Sequence, residues 1–306
     1  MKPNVDQNLR KALSFARAGD AAGAEKIYRE ILAAFPANKR AQQGLAELAN
    51  PFAGRPYAEG VETLLSLYDQ NRMSEALDGA MAMLALHPAR ADLYNLAGAI
   101  QGALGRWDDA LASYGKAIAL NPKDGDALTN RCVALLRLDR LEEAAEAGDR
   151  AVKVATHSAG AHSNRAMVLK LLGRTRDAAA GYDRAIELDP RSAELHYNKA
   201  NLLQNLGHLE DAITSYDAAI RLKPDYAAAY SNRGNAQRRL GLLFEALASY
   251  DSAVAIHAGF AEAHSNRGIV LRDMKRHDES LESCDRAVEL QPDSAAILYN
   301  HATILQ

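Results

Sequence analysis

Six asparagines recur 34 residues apart, at Asn130, Asn164, Asn198, Asn232, Asn266 and Asn300. A carboxamide offers one acceptor oxygen and two N–H donors. A row of them complements a peptide backbone, which repeats N–H and C=O groups along its length. Such a row can hold an extended chain without reading its side chains. The other reading of the same series is a ladder of hydrogen bonds between repeats that binds nothing. Catalytic chemistry has little to work with, because no HExxH, GxSxG, P-loop or GxGxxG pattern occurs. Of the nine histidines, His162, His196 and His264 share one slot of the period, which Tyr94 and Tyr230 hold elsewhere. Histidine there is read as replacing an aromatic in packing. A zinc site would need Cys, Asp or Glu ligands converging on it, and that spacing is missing. The chain is therefore expected to have no metal, no cofactor, no catalytic residue and no enzymatic activity.

The elements that position these amides follow the same period. Prolines fall at Pro88, Pro122, Pro190, Pro224 and Pro292, tyrosines at Tyr114, Tyr182, Tyr216 and Tyr250, and alanines at Ala110, Ala144, Ala178, Ala212 and Ala246. Within 193–226, Leu195, Leu202, Leu203 and Leu206 have helical spacing. Gly207 then sits where a helix C-cap needs a left-handed residue, and Gly105, Gly173 and Gly241 share its slot. A second helix follows with Ala212, Tyr216 and Ala219, and Pro224 closes the unit. Small residues at Gly98, Ala166, Ala200, Gly234 and Gly268 let the two helices cross closely. The asparagine stands two residues before that small residue. At 3.6 residues per turn it lies about 200° round the helix, away from the partner helix. By the same angles Asn201, Asn235, Met167, Lys170, Gln204, Arg238, Arg239 and Arg272 share its inner face, with Glu194, Glu262 and Asp273 among them.

This pattern resembles the tetratricopeptide-repeat (TPR) family, through Tyr94, Gly98, Ala110, Tyr114, Ala117 and Pro122 in one unit and Tyr230, Gly234, Ala246, Tyr250 and Ala253 in another. The resemblance spans 57–306 in phase, and also 5–38 through Phe15, Ala24, Tyr28 and Pro36. It implies an all-α fold, a right-handed superhelical solenoid of antiparallel helix pairs, with eighteen helices and no strand. The array also resembles the repeat region of O-linked N-acetylglucosamine transferases, which bears asparagines at this slot of its concave face. That resemblance is to the repeat region only and does not imply transferase activity. The family's carboxylate clamp is not reproduced, because Tyr197, Asn201, Asn232 and Glu262 stand where Lys, Asn, Asn and Lys would be wanted. The expected function is a protein-interaction scaffold that takes a partner protein or extended peptide in its groove. The expected contacts are the six asparagines with Asn201, Asn235, Lys170, Arg238, Arg239 and Arg272. Two alternatives stay open: the substrate-recognition arm of a larger glycosyltransferase or sulfotransferase, and a self-assembling scaffold.

Two places break the period. Pro36 and Pro88 are out of step, and Asn50-Pro51-Phe52-Ala53-Gly54-Arg55-Pro56 has a linker's composition. The expected organisation is a three-helix piece at 1–50, a linker at 51–56, seven repeats at 57–294 and a lone first helix at 295–306. Repeats should begin near 57, 91, 125, 159, 193, 227 and 261. The last helix leaves Ile297, Leu298, Ile304 and Leu305 unpaired. It is read as part of a longer array or as an atypical cap, and as a possible face for self-association.

Bulk properties agree. The 306 residues are 48% hydrophobic and 6% aromatic, which suits a helical core, and the net charge of −3 gives no basic excess for nucleic acid. Two cysteines, Cys132 and Cys284, sit at packing slots and make a disulfide framework unexpected. No apolar run of about 18 residues exists, so no membrane span is expected and the default location is the cytoplasm. Beside the asparagines stand Arg131, Arg165, Lys199, Arg233, Arg267 and His301, and an aspartate series runs Asp149, Asp183, Asp217, Asp251 and Asp285. Repeat 91–124 lacks all three groups, with Leu96, Ala97 and Gly115 in their slots. Cation and aspartate are expected to pair, either within a repeat or, as the helix angles favour, between repeats.

Overall fold

An apolar stripe with period 3.6 needs a helix to gather it on one side. In the computed structural model, which describes residues 5–50 and 52–305, eighteen α-helices form and no strand occurs among those residues. The chain divides into two units, Met1–Val154 and Ala155–Gln306.

The first unit begins with α1 (Val5–Arg17), α2 (Ala21–Ala34) and α3 (Lys39–Leu48). Three hairpins follow: α4 (Tyr57–Asp69) with α5 (Met73–Leu86), α6 (Ala91–Ala103) with α7 (Trp107–Leu120), and α8 (Gly125–Arg137) with α9 (Leu141–Val154). The second unit holds α10 (Ala159–Leu171) with α11 (Thr175–Leu188), α12 (Ala193–Asn205) with α13 (Leu209–Leu222), α14 (Ala227–Arg239) with α15 (Leu243–Ile256), α16 (Ala261–Asp273) with α17 (His277–Leu290), and α18 (Ala295–Ile304). All seven hairpins start at the residues the period predicts.

Each hairpin turns by the same device. The first helix of every hairpin ends on a residue with positive φ: Gly105, Gly173, Gly207 and Gly241 at 73° to 82°, and Asn71, Asp139 and Lys275 at 57° to 63°. The next N–H reaches back five residues, as from Arg106 to the Gln101 carbonyl at 2.8 Å and from Arg276 to Leu271 at 2.9 Å. That bond satisfies a carbonyl the helix end would otherwise orphan. Packing inside a hairpin rests on small residues. Ala110, Ala144, Ala178, Ala212 and Ala246 have no exposed surface. A Cβ at Gly98 would stand 2.5 Å from the Tyr114 ring, and one at Gly234 2.9 Å from the Tyr250 ring. The tyrosine therefore occupies the volume that a side chain on the facing helix would need.

At the N-terminal end of the first unit two cores are separate from one another. One gathers Leu9, Ala12, Ala24, Tyr28, Ile31 and Ala41 from α1 to α3. The other lies in α4 to α6 and includes Phe52, from the segment between α3 and α4. Phe52 is 7% exposed. Its ring edge lies 3.2 to 3.3 Å from where Cβ atoms on Gly60 and Gly79 would stand. Asn50 ties the same segment down, its Nδ2 donating to the Ala82 carbonyl at 2.6 Å and its Oδ1 accepting from the Phe52 N–H at 2.9 Å.

Candidate functional site

Among the first helices, α6 touches α8 in the first unit, and α12, α14, α16 and α18 touch in sequence in the second. Asn130, Asn232, Asn266 and Asn300 lie along these contacts, and all six asparagine side chains are half-buried. In the second unit Asn232 Nδ2 donates to Asn201 Oδ1 and to the Tyr197 hydroxyl, both at 3.0 Å. Asn266 Nδ2 donates to Asn235 Oδ1 at 3.1 Å, and Asn300 Nδ2 to Ser265 Oγ at 3.0 Å. In the first unit Asn130 Nδ2 donates to Asn95 Oδ1 at 3.0 Å. The partner always stands 31 or 35 residues earlier, one turn apart on the preceding first helix. Asn198 has Met167 at the 31-residue position, and it makes no side-chain hydrogen bond among the described residues, nor does Asn164.

Buried phenols set the orientation of the acceptor amides. The Tyr250 hydroxyl donates to Asn235 Oδ1 at 2.6 Å, and the Tyr216 hydroxyl to Asn201 Oδ1 at 2.7 Å, with Gln204 Oε1 also within 3.0 Å. Burial pushes Tyr250 up to about 12, and it raises Tyr216 further, so both keep their protons. Asn201 and Asn235 must then present oxygen inward. Their Nδ2 groups, and the Oδ1 atoms of Asn232 and Asn266, make no hydrogen bond among the described residues. One acceptor and one amide donor are thus left over at each of these two rungs.

The cations differ among themselves. Arg239 Nη1 donates to the Gln204 carbonyl at 2.9 Å, capping the end of α12. Arg272 donates to Thr303 Oγ1 at 3.2 Å and pairs with Asp273 at 3.0 Å. Lys170 is half-buried and makes no such contact among the described residues. Arg238 is half-buried beside Tyr250, and its Nε is a buried atom without a hydrogen-bond partner.

The cation–aspartate pairs form between repeats. Lys199 meets Asp183 at 2.7 Å, Arg233 meets Asp217 and Arg267 meets Asp251 at 2.6 Å, and His301 meets Asp285 at 2.7 Å. The aspartates are 40% to 55% exposed, so each Lys or Arg pair contributes about 0–1 kcal/mol, and His301 with Asp285 is an ion pair only when the imidazole is protonated. Their use is to fix how one hairpin sits on the next.

The shared-slot histidines do more than fill space. His162, His196 and His264 each place Nε2 within 3.1 to 3.3 Å of a carbonyl six residues earlier, at Thr156, Pro190 and Ala258. A carbonyl only accepts, so Nε2 donates and pins the turn between repeats. Nothing in the spacing of histidines alone signals this bond. Cys132 and Cys284 are each 1% exposed, and burial pushes both thiols up to about 11, far from nucleophilic. Trp107 packs at the turn against Gly102. Among the described residues no group of three or more His, Cys, Asp or Glu could hold a metal ion, and no helix is long and apolar enough to cross a membrane.

Sequence models described as tetratricopeptide repeat or TPR repeat match residues 8–38, 97–161, 182–214, 205–241 and 261–294. No curated protein matches the sequence. Among solved structures, YrrB, described as a TPR protein with an unusual peptide-binding site, aligns at 24% identity over 61% of this chain and 96% of its own, with a TM-score of 0.51. The Cut9–Hcn1 hetero-tetramer of APC/C aligns at 16% identity over 100% of this chain and 57% of that one, with a TM-score of 0.65. A tetratricopeptide repeat protein from Parabacteroides merdae aligns at 18% identity over 82% and 99%, with a TM-score of 0.61. At such identities these likenesses speak for the fold alone.

Proposed function

The chain belongs to the tetratricopeptide-repeat family, and from that premise we propose that it is an interaction scaffold that holds an extended peptide by its backbone along the face of its first helices. The observation that carries this reading is the pairing of leftover groups. At the Asn201–Asn232 and Asn235–Asn266 rungs an Oδ1 and an Nδ2, both unbonded among the described residues, stand together on one face. A peptide backbone offers an N–H and a C=O to match each pair. Asn164 and Asn198 add amides with both ends unbonded among the described residues. Asn130 repeats the arrangement in the first unit through Asn95. Lys170 and Arg238 supply charge for carboxylates of the ligand, whereas Arg239 and Arg272 act mainly by holding neighbouring helices. Helices pack about 8–10 Å apart and an extended chain advances about 3.3–3.6 Å per residue, so one rung serves roughly three ligand residues. YrrB, a TPR protein with an unusual peptide-binding site, shares the fold and lends support by analogy.

The test uses peptides selected from a displayed random library on the full chain. Methylating the peptide backbone nitrogen at every third residue should weaken binding at least about tenfold, the worth of one or two lost hydrogen bonds. Replacing the side chains at the same positions by alanine should matter less. The reverse order would mean that the face reads side chains and that the ladder only ties repeats together. A second reading, self-association through α18, has one observation in its favour: Leu298, Tyr299 and Leu305 are 43%, 70% and 63% exposed. Light scattering after size exclusion, with Tyr299→Ser as the control, separates the two.

A further inference from the structure

The ladder stops in the first unit, and a cavity takes its place. Leu96 holds the asparagine slot, while Leu65 and Ala99 hold the slot of Asn201 and Asn235. With Val61 they line an open cavity of about 340 Å³ on α4, α6 and the start of α8. That lies at the small end of the ~300–1,000 Å³ typical of ligand sites, fit for one or two side chains. Leu65 is 46% exposed, so the apolar floor faces solvent.

One wall is held rigid. The Tyr57 hydroxyl donates to Asp92 Oδ2 at 2.6 Å, Arg90 grips the same carboxylate at 2.7 Å, and the Arg90 guanidinium stacks 3.9 Å above the Tyr57 ring. Asp92 is thereby neutralised. The opposite rim is not. Asp124 and Asp126 line the mouth, and neither pairs with a cation among the described residues. Asp124 accepts the Ala127 N–H at 2.9 Å, and both stand at the N-terminus of α8, where the helix dipole favours negative charge. Glu62, exposed at the asparagine slot of α4, adds a further carboxylate to the same face.

We infer that this cavity seats a large aliphatic or aromatic side chain of a bound peptide whose neighbouring residue is lysine or arginine. The apolar floor gains from covering Leu65 and Leu96, and the acidic rim requires a cation beside the anchor. The inference rests on the peptide-holding reading above and adds a side-chain preference that a backbone ladder alone would lack.

Random 12-residue peptides displayed on phage are selected on the full chain and, separately, on Leu65→Asn, Ala99→Asn and Asp126→Asn, each checked by circular dichroism. Leu65 and Asp126 are exposed, so these changes leave the fold in place. The wild-type chain should enrich an apolar residue next to Lys or Arg. A synthetic peptide of that consensus should bind Leu65→Asn and Ala99→Asn at least tenfold more weakly. It should bind Asp126→Asn a few-fold more weakly and with a shallower dependence on salt. Peptides that lack the motif, or that bind Leu65→Asn and Ala99→Asn as well as wild type, overturn the inference and leave the peptide-holding reading standing. Selection of no peptide at all overturns both.

Discussion

Two chemically identical substitutions should part company on this ladder. Asn232→Ala removes two hydrogen bonds, to Tyr197 and to Asn201, each at 3.0 Å. Each is worth about 0.5–1.5 kcal/mol net. The lower half of that range applies, because both partners are half-buried and can turn to water, and Asn201 Oδ1 keeps its bond from Tyr216. The bonds therefore contribute about 1–2 kcal/mol together. Asn198→Ala removes no side-chain hydrogen bond among the described residues. Both changes gain a helix former in place of asparagine, worth up to about 0.7 kcal/mol. Asn232→Ala should thus destabilise by roughly 0.5–1.5 kcal/mol, and Asn198→Ala should be neutral or slightly stabilising. Urea unfolding followed by circular dichroism gives the global difference. Repeat arrays unfold with limited cooperativity, so hydrogen exchange in α12 to α14 gives the local one. Peptide affinity should fall in the Asn198 variant although its stability does not. Equal midpoints for the two variants would refute the view that ladder amides bond between repeats. An Asn198 variant that is neither destabilised nor weaker for peptide would refute a binding role at that rung.

Three further outcomes follow from the geometry. Gly234→Ala should destabilise despite the ~1 kcal/mol helix-propensity gain, because its Cβ would stand 2.9 Å from the Tyr250 ring and overpacking costs about 1–3 kcal/mol; a raised melting temperature would contradict this. Lys275→Gly should stabilise by roughly 0.5–1 kcal/mol, the ~1–2 kcal/mol cost of a left-handed lysine less the ~0.5–1 kcal/mol entropy cost of glycine; thermal unfolding checks it. The Arg90 guanidinium beside Asp92, together with the Tyr57 hydroxyl, holds its carboxyl down at about 2, so the folded state is favoured above pH 4 and that share is lost as pH falls towards 2. Asp92 is 54% exposed, so the share is under about 1 kcal/mol, and Asp92→Asn should flatten the acid limb of the stability curve by that much.

The start of each of the seven hairpins was legible from the 34-residue period, because turn glycines, buried alanines and tyrosines repeat with it. The face of the asparagines followed from helix angles alone. Their partners did not, since Asn232 meets residues 31 and 35 positions back, and only the stacking of helices brings those together. The between-repeat register of the ion pairs was legible because Asp183 points away from its own first helix. The cavity beside Leu96 was half visible: the missing asparagine, cation and aspartate marked the repeat, but the rigid wall of Tyr57, Arg90 and Asp92 depends on contacts across 35 residues. Phe52 was hidden by its neighbours. Proline and glycine around it mark a loop, and its burial depends on the bare backbone of Gly60 and Gly79, on two other helices.

That ring has a consequence for how the first unit comes apart. In an array held by neighbour contacts, opening spreads from an end one hairpin at a time. The core of α1 to α3 and the core of α4 to α6 are separate, and Phe52 belongs wholly to the second. The ring therefore works as an end plate, closing the α4–α5 hairpin with its own upstream chain. Loss of α1 to α3 should expose little of what lies beyond, so amides there should exchange through two openings of different free energy, the N-terminal three helices first. With Phe52→Ala, which vacates the space between Gly60 and Gly79, protection should fall in α4 and α5 while α1 to α3 keep theirs.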